Sequence, residues 1–260
     1  MKIIQSRDNP YYKELVKLSG SSRQRGKVNQ TLLDGAHLLA AYLDAGLLPQ
    51  QVLVNAAALQ DGEIAGLLER LKGVPLAQLD DKLFAELSEL KTPTGILALI
   101  DIPQPKTPVA DSSFALLLED IQDPGNLGSM LRSAAAAGCD AVFLSQGCAD
   151  AWSPKVLRAA MGGHFALRIY EQQDLPGVAQ AFSGALLATN LQATRSLYDC
   201  DLPGNVAFMI GNEGAGLSAG LLSLATQEIT IPMHGKVESL NAAAATAICL
   251  FEVVRQRQDR

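Results

Sequence analysis

At 260 residues, with 48% hydrophobic and 18% charged side chains and a net charge of −6, the chain is long enough for two cores and too apolar to be disordered. No apolar run approaches the ~18 residues of a membrane helix, and no signal-peptide stretch opens the chain. Cys139, Cys148, Cys200 and Cys249 are too widely and irregularly spaced for a zinc site. Together these features predict a cytoplasmic protein without membrane or metal.

The acidic total hides a basic start. Residues 1–30 carry Lys2, Arg7, Lys13, Lys17, Arg23, Arg25 and Lys27 against Asp8 and Glu14, a net of +5, which leaves −11 for the rest. A localised basic face fits phosphate contact, and equally fits a solvated helix and loop. In chain order, "DNPYYKELVKLSG" predicts an amphipathic helix over 8–20, capped by Asp8, with Pro10 in its first turn and Gly20 as its stop. A basic loop follows. Short apolar runs then alternate with helical ones: TLLDG, AHLLAAYLDAG, QQVLVN, EIAGLLERLKG, VPLAQL, DKLFAELSEL and GILALI. That alternation makes residues 1–100 a small α/β domain. The stretch 101–113, with three prolines and no periodic pattern, is the predicted linker.

From Phe114 onward, the runs FALLLE, AVFLS, ALLATN, VAFMIG and EITIPM have the continuous apolar character of strands buried on both faces of a parallel sheet. Helices are predicted over 126–137, 154–162, about 216–225 and about 239–256. The class is α/β, with residues 114–260 as the larger domain. Parallel sheets bind ligands at the carboxyl ends of their strands, so the loops there matter most.

Three loops stand out. DPGNLGSMLRSAAAAG (123–138) is a turn leading into an alanine-rich helix that Gly138 is placed to end, with Asn126 and Arg132 six residues apart. GNEGAGLS (211–218) places Glu213 among three glycines, which implies tight turns or close backbone approach to a ligand. Its glycine order and late position fail the dinucleotide fingerprint, which argues against a nucleotide-dependent oxidoreductase. The third, EITIPMHGKVESLNAAAATAICLFEVVRQR (228–257), runs from a strand through a glycine turn to a long helix that Ser239 or Asn241 starts, with Ser239 as a natural N-cap. Singly, each is as well explained by capping and surface charge.

In this order and spacing the three loops resemble the signature motifs of the SpoU (TrmH-like) RNA ribose 2′-O-methyltransferases. The resemblance spans the whole chain. SRDNPYYKELVKLSGSSRQRGKVNQTLLDGAHLL and KTPTGILALI look like the family's small substrate-binding domain, related to ribosomal protein L30e, with Asp34 where Glu is more usual. The resemblance implies a SPOUT-type fold whose trefoil knot forms the cofactor pocket. It implies catalytic roles for Asn126, Arg132, Glu213, Ser239 and Asn241. It places S-adenosylmethionine against Thr189, Asn190, Leu191, Gly211, Ile231, Met233 and Leu240. Where the family often carries NVS, this chain has NAA at 241–243, so no helper hydroxyl stands at Ala243.

Methyl transfer needs an aligned ribose oxygen and a route for its proton. His37, His164 and His234 all fall outside the motif positions. The family's proposed base is Arg132; because a guanidinium keeps its proton, the reading here is that Arg132 stabilises the developing alkoxide while Asn126, Glu213 and Asn241 orient it. Arg7, Arg23, Arg25, Lys27, Lys155 and Arg158 are the candidate RNA contacts. The resemblance also implies a homodimer built on the last helix. Ribosomal RNA is the expected substrate; transfer RNA, or an inactive RNA-binding module, are the alternatives.

Overall fold

The computed structural model describes residues 1–258; the expected domain end at Arg260 lies outside the described residues. These fall into two compact units, residues 1–103 with 152–165, and residues 104–151 with 166–258.

The first unit runs β1 (Lys2–Ile4), α1 (Pro10–Gly20), α2 (Ser22–Val28), β2 (Gln30–Asp34), α3 (Ala36–Asp44), β3 (Gln51–Val54), α4 (Gly62–Arg70), β4 (Leu76–Leu79), α5 (Asp81–Leu87) and β5 (Ile96–Asp101). Its sheet has the order β1-β4-β3-β5-β2, with β5 antiparallel to both neighbours and the other pairings parallel. Ile4, Leu15, Leu53, Leu79 and Phe84 form its core.

Local chemistry differs from expectation at two points. The first helix is capped by Asn9, whose Oδ1 accepts from the amides of Tyr11 and Tyr12, while Asp8 pairs with Lys13. The expected basic loop is α2. Ser21 caps it through the Gln24 amide, Asn29 ends it in the left-handed region at φ 55, and Arg25 folds back to donate to the carbonyls of Leu18 and Ser19.

The second unit runs β6 (Phe114–Leu118), α6 (Pro124–Ala137) and β7 (Ala141–Leu144). After α7 (Pro154–Ala160) it resumes with β8 (Arg168–Tyr170), α8 (Leu175–Ala181), β9 (Ala185–Thr189), β10 (Val206–Ile210), α9 (Ala219–Leu222), β11 (Gln227–Ile229) and α10 (Ala242–Gln258). All six strands are parallel, in the order β11-β9-β10-β6-β7-β8. Every residue of β6, β7 and β10 is buried, as the continuous apolar runs predict. From β6 the sheet grows one way through β7 and β8; the chain then returns to lay β9 and β11 beyond β10. The winding direction therefore reverses between β6 and β10, the kind of switch point where doubly wound sheets bind ligands.

α10 packs along α6, and the Ala242–Ala245 run lets the two backbones approach. The helix expected over 216–225 is only the four residues of α9, and the last helix starts at Ala242, capped by Asn241 in place of Ser239. Residues 152–165, expected in the larger domain, belong to the first unit. There the fully buried Thr31 hydroxyl donates to Trp152 O at 2.8 Å, and Tyr42 meets Phe165 edge-on at 5.0 Å.

Candidate active site

The three motif loops meet through side chains. Asp123 caps α6 by accepting from the Asn126 amide at 2.7 Å, which leaves the Asn126 side chain free to face the neighbouring loops. Asn126 Nδ2 donates to Glu213 Oε1 at 2.8 Å, and Asn126 Oδ1 accepts from Asn241 Nδ2 at 2.9 Å, joining residues 87 and 115 positions apart. The orientation of each amide is forced. Asn241 must turn Oδ1 to the amides of Ala243 and Ala244 to cap α10, so its Nδ2 points outward to Asn126 Oδ1. Asn126 Nδ2 then needs an acceptor-only partner, and the Glu213 carboxylate is one.

The loop carrying Glu213 is a tight hairpin-like turn. A Cβ on Gly211 would lie 2.2 Å from the Gly216 carbonyl carbon, so only glycine fits there. Asn212 organises the turn: its Oδ1 accepts from the amides of Gly214 and Ala215, its Nδ2 donates to Asp120 O, and its backbone exchanges hydrogen bonds with Gly216. Glu119 Oε2 accepts from Ser218 N at 2.7 Å and holds the far end. Neither Asn212 nor Glu119 was singled out from sequence. Asn212 could have been, as a turn-forming residue beside Glu213; Glu119 acts across 99 positions and carries no local signal.

Beside this junction lies a cavity of about 860 Å³, lined by residues 189–192, 210–217, 229–231, 233, 239–242 and 245 together with Asn126 and Leu222. Thr189, Asn190, Leu191, Gly211, Ile231, Met233 and Leu240 all line it, as do Asn126, Glu213, Ser239 and Asn241. Its size suits a nucleoside-sized ligand. Among the described residues the lining contains no Lys, Arg or His, and Glu213 is its single charged side chain. Such a lining offers no cation to a dinucleotide's phosphates. It tolerates a ligand of net positive charge.

The SpoU rRNA methylase family model matches residues 113–251, the stretch that contains the first two loops and the third as far as Phe251. The chain belongs to the SpoU family. The MRM3-like substrate-binding domain matches residues 9–98. The chain is 34% identical over 256 residues to the Bacillus subtilis 23S rRNA (guanosine(2553)-2′-O)-methyltransferase RlmP, spanning 97% of this chain and 99% of that protein. Among solved structures, an RNA 2′-O ribose methyltransferase aligns with TM-score 0.82 and 31% identity over 98% of this chain and 99% of that one. An AdoMet-bound rRNA methyltransferase from Sinorhizobium meliloti aligns with TM-score 0.83 and 26% identity over 98% and 97%.

One residue of the SpoU pattern stands apart from the cavity. Arg132 is exposed on α6, outside the cavity lining, and its guanidinium makes no hydrogen bond or ion pair among the described residues. Six residues on a helix carry it ~9 Å along and ~120° around the axis from Asn126.

The cations expected to meet RNA divide. Arg25 is only 4% exposed and spends its guanidinium on main-chain carbonyls, so it is a structural residue of α2. Arg7 is exposed but paired with Glu86, and Arg158 donates to Glu89 O at 3.1 Å. Arg23, Lys27 and Lys155 are exposed without an ion pair among the described residues. Asp34, the departure from the usual Glu, accepts from Ser88 Oγ and the Glu89 amide and so pins the segment after α5. Burial pushes its carboxyl above the ordinary range although both hydrogen bonds pull the other way.

Proposed function

We propose that the chain transfers a methyl group from S-adenosylmethionine to a ribose 2′-hydroxyl of ribosomal RNA. The observation that carries this is the Glu213–Asn126–Asn241 hydrogen-bond chain at the edge of a cavity without cations. The donor fits the residues present: apolar walls for an adenine, unpaired main-chain groups for its polar edges, and one carboxylate compatible with a sulfonium charge. Thr189 to Leu191, Gly211, Ile231, Met233 and Leu240 would hold it. When bound, S-adenosylmethionine supplies an activated methyl that needs only an aligned nucleophile.

The protein's own task is alignment and charge. Asn126, fixed at both ends, presents a rigid amide to the incoming ribose; the Ser239 hydroxyl, without a partner among the described residues, lines the same space. Arg132 contacts the RNA from outside the cavity, and its permanent charge stabilises the oxygen as its proton leaves to solvent. Arg23, Lys27 and Lys155 bind phosphates on the first unit. Ala244 and Phe251, seven residues apart on one exposed face of α10, support a homodimer. The trefoil knot of the SPOUT fold belongs to the same reading, as does a cytoplasmic location; no helix among the described residues is long and apolar enough to cross a membrane.

The test is transfer of labelled methyl from S-adenosylmethionine to separated ribosomal and transfer RNA. Label in alkali-resistant 2′-O-methylated nucleotides of ribosomal RNA is expected. Label confined to transfer RNA would move the substrate. Failure to bind the donor would remove the enzyme reading and leave an RNA-binding module.

A further inference from the structure

The segment that closes one side of the cavity, Asn190 to Gln192, leaves β9 with neither a helix nor a glycine to shape it. The Asn190 side chain makes its turn. Oδ1 accepts from Gln192 N at 3.0 Å, the Asn190 amide donates to Ile229 O at 2.9 Å, and the Asn190 carbonyl accepts from Ala193 N at 3.1 Å. The two ends of a carboxamide are not equivalent, so this turn forms only with Oδ1 directed along the chain and Nδ2 away from it.

What lies behind Nδ2 is a carboxylate. Asn190 Nδ2 donates to Glu228 Oε2 at 2.7 Å, across 38 positions of sequence. Glu228 sits on β11 in register with Ala188, exposed, while its neighbour Ile229 turns into the core. Asn190, Leu191 and Gln192 line the cavity and Glu228 does not. The Leu191 N–H and C=O carry no hydrogen bond among the described residues, and the residue is 65% exposed at the rim. They are the main-chain groups whose direction this turn decides.

We propose that Glu228 is a positioning residue for the methyl-donor cavity. Its carboxylate locks the Asn190 amide in the one orientation that curls Leu191 and Gln192 along the cavity wall, and it acts on the ligand only through Asn190. The inference rests on reading the cavity as an S-adenosylmethionine site. Charge-assisted hydrogen bonds of this length are stronger than neutral ones, and a wall held in its binding shape before the ligand arrives saves the ordering cost on binding.

The experiment titrates S-adenosylmethionine by calorimetry into the full-length protein and into Glu228→Ala, Glu228→Gln, Asn190→Ala and the Glu228→Ala/Asn190→Ala double variant. Glu228→Ala is expected to weaken binding about fivefold while kcat at saturating donor stays within about twofold. Glu228→Gln, whose Oε1 accepts the same hydrogen bond, recovers most of the loss. The double variant binds no more weakly than Asn190→Ala alone, because one residue works through the other. In the ligand-free protein, Gln192 amide exchange accelerates in Glu228→Ala and not in Glu228→Gln. Unchanged affinity in Glu228→Ala, equal losses in the Ala and Gln variants, or additive losses in the double variant would each overturn the proposal. Should the unmutated protein bind no S-adenosylmethionine, the functional reading fails by itself, and Gln192 exchange still decides whether Glu228 holds the turn.

Discussion

The two units use polar residues in opposite ways. In the first, several charged side chains singled out from sequence are satisfied by the protein itself: Arg25 on the carbonyls of Leu18 and Ser19, Arg7 on Glu86, Asp34 on Ser88 and Glu89. In the second, the polar residues singled out by their loops satisfy one another at the edge of a cavity, where Asn126, Glu213 and Asn241 form one chain. The difference follows from position. A residue just past a strand in a parallel sheet emerges at the ligand-binding edge, whereas a cation in a run of cations says nothing of what it meets in space.

Five substitutions test that contrast. The largest effect is expected at the junction: Asn126→Ala removes the bridge between two loops and should lower kcat about 100-fold with folding stability little changed, since the group it vacates is partly exposed. A kcat within about twofold of wild type would move the chemistry away from this chain of hydrogen bonds. Next is Arg25→Met, which leaves buried carbonyls unsatisfied and should cost about 2 kcal/mol in urea unfolding without altering the salt dependence of RNA binding. Lys27→Ala should do the reverse, reducing the slope of log affinity against log salt by about 0.7 to 0.9 at a stability cost below about 0.5 kcal/mol. If Arg25→Met instead changes the salt slope, the division drawn between the two cations is wrong. The smallest effect on function is at the first helix, where Asn9→Ala should cost about 1 kcal/mol of thermal stability and Asp8→Ala less than half of that.

Sequence pattern reached the larger sheet through long apolar runs such as FALLL and VAFMI, whose burial on both faces leaves no polar alternation to confuse them. It missed β1 and β8, three residues each, and α8, where Pro176 and Gly177 mask the helical pattern. The helix α2 was hidden because SRQRGKV has no apolar period; a serine cap and the backfolded Arg25 hold it instead. The seven residues placed at the cavity by family resemblance all line it, yet nothing local could locate Glu119 or Glu228, whose partners lie 99 and 38 positions away. Arg132 falls off the lining because helical geometry turns it from the Asn126 face.

The return of residues 152–165 to the first unit has a practical reach. The polypeptide passes between the units three times, after Pro103, after Ala151 and after Phe165, so a protease nick in the proline-rich stretch separates the N-terminal hundred residues covalently but leaves them packed on residues 152–165 of the other fragment. A fragment ending at Pro103 would strand the buried Thr31 hydroxyl without Trp152 and bare the edge of Tyr42. The small domain is therefore not a detachable cassette: a chimera that exchanges RNA targeting between relatives has to carry fourteen residues from the middle of the methyltransferase sequence along with the N-terminal hundred.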